Sequence, residues 1–335
     1  MKKMITEEHR PSSLREVIGQ PHIVNPLIQM IEGLPHDDIP HLAFYGKHGT
    51  GKTSTAIAFM KDAFGDNWDS NFLELNASDE RSIGVIRTKV KDFAKRGTIG
   101  TFTAKDGKTY PIPFNVVFLD ECDNLTPDAQ SALRRLMEKH KQTRFILSAN
   151  YPHKIIQPIH DRCAFSSTRF RPISPMMMLD YLDEKVDTEK RISNATLTVI
   201  AVNSNGSVRK ALNLYDIFRR FKPDSVTPED VREYLGTVNK SVIRSLMTKS
   251  IMAVKKDEPR LWRTVDAEID KLAGRGLTGY DILNEMIQYT SEDNDMPTKL
   301  RNRIFSLIGD ALHWVSVSQD DMLAVKAFLR RFSLE

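Results

Sequence analysis

The segment Gly46-Lys47-His48-Gly49-Thr50-Gly51-Lys52-Thr53 constrains this chain more than any other. It has the form G-x-x-x-x-G-K-T, a glycine-rich turn whose backbone N–H groups face inward around phosphate oxygens. Such a loop works between a buried strand and the start of a helix. Both flanks are present: Leu42-Ala43-Phe44-Tyr45 is a short apolar run that suits a buried parallel strand, and Ser54 to Lys61 reads as helix. The chain is therefore expected to build an α/β sheet with a nucleotide at the carboxyl ends of its strands. Residues Gly46 to Ser54 are the expected triphosphate cradle. Lys52 is placed to reach the β- and γ-phosphates, and the Thr53 hydroxyl to ligate Mg²⁺.

Hydrolysis needs acid groups beside that cradle, and a second strand supplies them. Val116-Val117-Phe118-Leu119 runs into Asp120-Glu121-Cys122-Asp123. Four apolar residues put Asp120 at the end of a buried strand, where open α/β sheets bind ligands. Asp120 suits Mg²⁺, held through water, and Glu121 suits orienting and deprotonating the attacking water. A third strand, Arg144 to Asn150, brings a polar residue to the same edge. Asn150 is the candidate that senses the γ-phosphate, or it simply ends the strand.

Composition bounds the rest. A chain of 335 residues with 40% hydrophobic content is long enough for two or three cores. The net charge of +4 is too mild to imply nucleic-acid binding by itself. Cys122 and Cys163 form neither a metal-type pair nor a disulfide framework, which fits a reducing compartment. No apolar stretch is long enough to span a membrane, and the N-terminus lacks a signal-type apolar core, so an intracellular protein with no membrane partner is expected.

Strand signals fall at 42–45, 72–76, 116–120, 144–149 and near 165–170, with helical segments between them. They stop after Arg171-Pro172-Ile173-Ser174-Pro175. Short helices follow to about 236, one of them starting at Thr227-Pro228-Glu229-Asp230 with Thr227 as N-cap and ending at Gly236. From Asn239 the pattern is amphipathic helix, broken at Gly274-Arg275-Gly276 and near Asp295-Met296-Pro297. Between Arg81 and Arg96, Arg87, Lys89, Lys91 and Lys95 are opposed only by Asp92. This basic helix reads by itself as a solvated face. The linker Gly97 to Asn115 alternates on both sides of Asp106-Gly107, which predicts a hairpin with a type I′ turn.

Taken together, these residues resemble the small subunit of replication factor C, the clamp loader of archaea, eukaryotes and some phages. The resemblance runs nearly end to end. Arg10-Pro11-Ser12-Ser13-Leu14-Arg15-Glu16-Val17-Ile18-Gly19-Gln20 is similar to the family's N-terminal box, which wraps adenine. Glu8-His9 stands where the family usually carries Lys-Tyr. Leu75-Asn76-Ala77-Ser78-Asp79-Glu80-Arg81 matches a box typical of the family. Asp161-Arg162-Cys163 stands where the family has Ser-Arg-Cys, with the arginine kept. Gly206-Ser207-Val208-Arg209-Lys210-Ala211-Leu212-Asn213 resembles the second sensor of the lid, and Gly276 to Leu283 a collar stretch. The Gly97–Asn115 linker is longer than the family pattern.

The resemblance implies an AAA+ P-loop core over 1–172, a parallel sheet flanked by helices, then a small helical lid over 173–238 and an all-α oligomerisation collar over 239–335. It implies ATP and Mg²⁺ as cofactors, with Arg10, Pro11, Val17 and Ile18 on the adenine side. Arg209 would read the γ-phosphate from the lid. Arg162 would act as an arginine finger on a neighbouring subunit's ATP. The basic helix becomes a DNA-tracking surface, with Arg81, Arg87 and Lys91 on one helical face touching phosphates of duplex DNA. The linker lies toward the clamp, so Ile99 and Phe102 are expected clamp contacts.

The implied activity is ATP-dependent opening and loading of a ring-shaped sliding clamp onto primer–template DNA. The implied partners are the clamp, the DNA and other loader subunits, as a pentamer with a distinct large subunit. The implied location is cytoplasmic, in an archaeal, bacterial or phage-infected cell, or nuclear in a eukaryote. Two alternatives stand beside it: a DNA-remodelling AAA+ motor such as a branch-migration helicase, which would want a winged-helix C-terminus, and a structural AAA+ subunit that binds nucleotide without turnover.

Overall fold

The structure, a computed structural model, describes residues 4–78, 83–164, 169–221, 226–293, 295–317 and 320–333. The chain divides into two compact units, Met1–Ser225 and Val226–Glu335.

The first unit is built on a parallel sheet. Its strands are β1 (His41–Tyr45), β2 (Phe72–Asn76), β5 (Asn115–Asp120), β6 (Thr143–Ala149) and β7 (Cys163–Ala164), in the order β2-β5-β6-β1-β7. The remaining strands, β3 (Thr101–Thr103) and β4 (Thr109–Pro111), form a separate antiparallel pair. The four long strands of the sheet lie where the sequence placed them. Of the fifth, near 165–170, residues 165–168 lie outside the described residues, and Arg169 bridges Tyr45.

β1, β5 and β6 are buried along nearly their whole length, with apolar runs at their centres, because helices cover both faces of the sheet. Successive side chains alternate between those faces. Leu42, Phe44, Val116, Phe118 and Ile146 pack on one side with Leu27, Phe59 and Phe64. Ala43, Tyr45, Val117, Leu119, Phe145 and Leu147 pack on the other with Ile86, Val90 and Leu133. The register pairs Asn76 with Asp120 and Tyr45 with Ala149, so Asn76 and Asp120, which end β2 and β5, and Asn150, which follows β6, come out along one edge.

The linker hairpin is present, but its turn differs from the expectation. The Ala104 N–H donates to the Lys108 carbonyl at 2.9 Å and the Gly107 N–H to the Ala104 carbonyl at 2.9 Å. Only Gly107 has positive φ (77°). A type I′ turn needs positive φ at both central residues. This is instead a type I turn closed by a glycine bulge, which spares Asp106 the strained conformation. The Asp106 carboxylate accepts from the Lys108 N–H and the Tyr110 hydroxyl and pins the turn.

The hairpin also corrects one expected clamp contact. Phe102 is 6% exposed and sits in the core against Phe64, ring centroids 5.8 Å apart. Burying a ring there is worth about 2–3 kcal/mol, so the side chain serves its own subunit. Ile99 is 48% exposed.

The second unit is helical throughout its described residues. Helix Pro228–Leu235 comes first, and Lys240–Lys255, Pro259–Ala273, Gly279–Glu292, Thr298–Val317 and Asp321–Ser333 enclose Leu246, Ile269, Leu283, Ile304, Val325 and Phe328. Thr227 caps the first of them, its hydroxyl accepting from the Asp230 N–H while Asp230 accepts from the Thr227 N–H. Gly236 ends it at φ 62°, in the left-handed region that favours glycine. Both ends are as the sequence predicted.

Candidate functional site: a phosphate-binding cavity

β1 delivers the chain to Gly46, and helix Lys52–Phe64 leaves from Gly51. The loop between them needs its glycines for space as well as for backbone freedom. Gly46 has φ 153°, and a Cβ there would stand 2.7 Å from the Phe170 carbonyl oxygen. Gly49 has φ 74° and lies against Ser207 and Arg209. The Val208 N–H donates to the Gly49 carbonyl at 2.9 Å, so the helix carrying Arg209 starts directly on the phosphate loop.

Lys52 is 7% exposed. Its ammonium donates to the Gly46 carbonyl (2.6 Å), the Lys47 carbonyl (3.1 Å) and Asn150 Oδ1 (2.9 Å). Burial pulls its pKa below the usual lysine range, and the carboxylates of Asp120 and then Asp123 work against that shift. The Thr53 hydroxyl donates to Asp120 Oδ2 at 2.8 Å, so the hydroxyl and carboxylate expected to hold a divalent cation converge on one point. One hydroxyl and one carboxylate, with phosphate oxygens and waters to complete the octahedron, suit Mg²⁺. Among the described residues no cluster of three His, Cys, Asp or Glu could hold a metal by itself.

Glu121 sits next to Asp120 at φ 54°, an uncommon conformation for a residue with a side chain. It re-aims the carboxylate across the strand end. There Glu121 Oε2 accepts from the Ser78 hydroxyl and from Asn124 Nδ2 (3.2 Å). Asn124 also donates to the Ser78 hydroxyl at 2.7 Å, closing a triangle that fixes the expected base. Asp123 is 8% exposed, and its two oxygens accept from the backbone N–H groups of Asn150 and Tyr151, each at 3.3 Å. It holds the tip of β6 and so the position of Asn150.

One cavity of about 680 Å³ collects these groups. His48 to Ser54, Asp120, Glu121, Asn150 and Arg209 line it together with Arg10, Pro11, Val17, Ile18, Met177, Tyr181 and Leu212, and charged side chains such as Glu16, Asp180 and Lys185 share the lining. Gly46 and Lys47 complete the loop behind it. Asp62, on the loop's own helix, accepts from the Ser13 hydroxyl (3.0 Å) and the Leu14 N–H (2.8 Å), which moors the N-terminal segment to the phosphate-binding element. His9 also lines the cavity, and burial depresses its pKa.

Two groups of expected site residues lie outside the cavity. Arg162 is on the turn after helix Gln157–His160, its guanidinium donating to the Pro158 carbonyl (2.7 Å) and ion-paired with Glu138. Arg87 and Lys91 are exposed on helix Ile83–Lys95, whose opposite face buries Ile86, Val90 and Phe93. Arg81 lies outside the described residues. Ser78, Asn124 and Asp123 were not singled out by sequence reasoning. Ser78 did stand inside the box Leu75–Arg81, and Asp123 ends the acidic run, but neither motif spells out which backbone it would meet.

A parallel sheet with this loop, acidic strand end and polar third strand defines a P-loop ATPase of the AAA class. The model of the ATPase family associated with various cellular activities (AAA) matches residues 42–169. The chain is 37% identical over 331 residues to the replication factor C small subunit of Picrophilus torridus, covering 98% of this chain and 96% of that one. It is 36% identical over 336 residues to that of Methanococcus maripaludis, covering 100% and 99%. The chain belongs to the replication factor C small-subunit family, and its reading as an ATPase subunit of a clamp loader stands. Among solved structures, the Thermotoga maritima RuvB Holliday junction branch migration motor is similar, with a TM-score of 0.51 at 17% identity, covering 71% of this chain and 78% of that one. At that identity the likeness is one of fold. The helicase alternative is not favoured.

Proposed function

We propose that this chain hydrolyses MgATP within an oligomer that opens a ring-shaped sliding clamp and loads it onto primer–template DNA. The observation that supports it most is the convergence of Lys52, Thr53, Asp120, Glu121 and Asn150 in one cavity that Arg10, Pro11, Val17 and Ile18 also line. Lys52 and the loop N–H groups bind the β- and γ-phosphates. Thr53 and Asp120 would hold Mg²⁺, which when bound would supply neutralisation of charge on the transferring phosphoryl. Glu121 takes the proton of the attacking water, Asn150 orients that water, and Arg209 reads the γ-phosphate. Arg10, Pro11, Val17 and Ile18 take the adenine.

Arg162 is turned away from this nucleotide and acts on a neighbouring subunit's ATP, so turnover depends on assembly. Arg87 and Lys91, with Arg81, track duplex DNA through its phosphates, and Ile99 is an apolar clamp contact. The three-part division at 172 and 238 is the working division into core, lid and collar. The oligomer is a pentamer with a distinct large subunit, working in the cytoplasm, or in the nucleus of a eukaryote. Among the described residues no helix is long and apolar enough to cross a membrane.

The test is to purify the chain with its partner subunits and measure ATP hydrolysis with clamp and primed DNA, for the native protein and for Arg162→Ala. The expected result is DNA- and clamp-stimulated turnover that Arg162→Ala reduces while each subunit still binds ATP. Turnover that ignores clamp and DNA would overturn clamp loading. Native rates in Arg162→Ala would overturn the finger.

A further inference from the structure

The turn that carries Arg162 is tied to the phosphate loop of its own subunit by two side chains. Tyr45 ends β1, one residue before Gly46. Its carbonyl accepts from the Phe170 N–H at 2.6 Å and its Cα is paired with Ala149, one residue before Asn150. The Tyr45 ring is 2% exposed, and its hydroxyl lies 2.9 Å from His160 Nδ1. The other ring nitrogen, His160 Nε2, lies 3.1 Å from the Pro152 carbonyl. A carbonyl only accepts, so in the neutral ring Nε2 carries the hydrogen and Nδ1 accepts from the tyrosine. Burial raises the Tyr45 pKa, which keeps the phenol a donor at any working pH. One imidazole thus bonds the residue before the phosphate loop and the residue two beyond Asn150.

Arg162 follows His160 by two residues. Its N–H donates to the Ile159 carbonyl at 3.1 Å, and its guanidinium to the Pro158 carbonyl at 2.7 Å. Both acceptors belong to the helix that His160 ends. The guanidinium therefore moves with that turn, and the turn is held by Tyr45.

We propose that Tyr45 and His160 are positioning residues for Arg162, setting the finger turn against the phosphate-loop strand of the same subunit. This rests on the reading of Arg162 as a finger acting in trans. Neither residue lines the cavity, so their effect runs through the placement of the guanidinium in the neighbouring site.

The test uses the assembled complex with clamp and primed DNA. Tyr45→Phe keeps the ring and removes the donor. It should lower kcat by about fivefold, on the scale of one lost hydrogen bond, with KM for ATP unchanged. His160→Ala should do the same. His160→Gln, which can accept from the tyrosine and donate to Pro152, should recover most of the rate. In the Arg162→Ala background, Tyr45→Phe should slow hydrolysis no further. A native kcat in both Tyr45→Phe and His160→Ala overturns the proposal. So does a loss that persists in full beside Arg162→Ala, or a change confined to KM, since each places the pair in service of its own loop. Native hydrolysis by Arg162→Ala alone would instead remove the finger reading on which the proposal stands.

Discussion

The phosphate cavity and the basic helix Ile83–Lys95 both carry cations that we propose meet phosphate, under opposite conditions. In the cavity, Lys52 is buried, its ammonium has three fixed acceptors, and the backbone around it is committed by glycines at positive φ. On the helix, Arg87 and Lys91 stand in solvent over a buried face of Ile86, Val90 and Phe93. The first arrangement can select one triphosphate and stabilise its transition state, because charge is placed before the ligand arrives. The second suits a ligand that slides, since exposed charges cost little to leave and are screened by salt. The difference explains why the same residue types need different tests: rates for the cavity, salt slopes for the helix.

The largest effect belongs to the cavity. Glu121→Gln keeps the shape and removes the base, so turnover in the complex should fall roughly 10²–10⁴-fold while ATP binding stays near native. Equilibrium binding and single-turnover rates measured side by side decide it. Normal turnover would sink the assignment of Glu121 and leave the cavity a nucleotide holder.

Next comes the hairpin, which belongs with the interior even though its sequence reads as a surface linker. Phe102→Ala should destabilise the first unit by about 3–5 kcal/mol, with a fall in melting temperature on the order of 10 °C. Ile99→Ala should leave stability near native, because that side chain is half exposed. An unchanged melting temperature in Phe102→Ala would place the ring outside the core.

How much of this was legible follows from how far each contact reaches along the chain. The phosphate loop, the Asp120–Glu121 strand end and the Thr227 cap are local patterns, and all three stood in the sequence. The long strands were legible because a sheet covered on both faces demands continuous apolar runs. The grip of Ser78 on Glu121 spans 43 positions and that of Tyr45 on His160 spans 115, so neither leaves a local mark. The hairpin lay between. Asp106-Gly107 announced a turn, but the turn's length was set by pairing Thr103 with Thr109, and the burial of Phe102 by a ring on a distant helix.

A pH effect extends the contrast to the foot of the sheet. His41 opens β1, and its Nδ1 accepts from the Phe145 N–H at 3.1 Å. Burial, with the nearby Arg144 guanidinium, depresses its pKa from 6.5 to about 4. The unfolded chain therefore binds a proton between those values that the folded chain refuses. Stability is full above about pH 6.5, falls as the pH drops toward 4, and levels off below it. At about 1.4 kcal/mol per unit, the loss from this group approaches 3 kcal/mol. Denaturant midpoints at pH 7 and pH 4.5 should differ by less in His41→Gln than in the native protein. An equal difference would remove His41 from the acid response.

The smallest effect is expected outside the cavity, where it is also the most diagnostic. If Arg87 and Lys91 each meet one phosphate, replacing both by Ala weakens duplex binding for every sequence alike. It also lowers the slope of log affinity against log salt by about two units. Base-specific contacts would predict the reverse pattern: a loss that depends on sequence with little change in slope. Among the described residues neither shares a hydrogen bond with the cavity groups, so ATP binding and basal hydrolysis should not change while stimulation by DNA declines. A slope identical to that of the native complex would reduce the basic helix to a solvated face. Loss of basal hydrolysis in the same variant would mean that the two cation sets, so different in burial, are nonetheless wired together through β2 and Ser78.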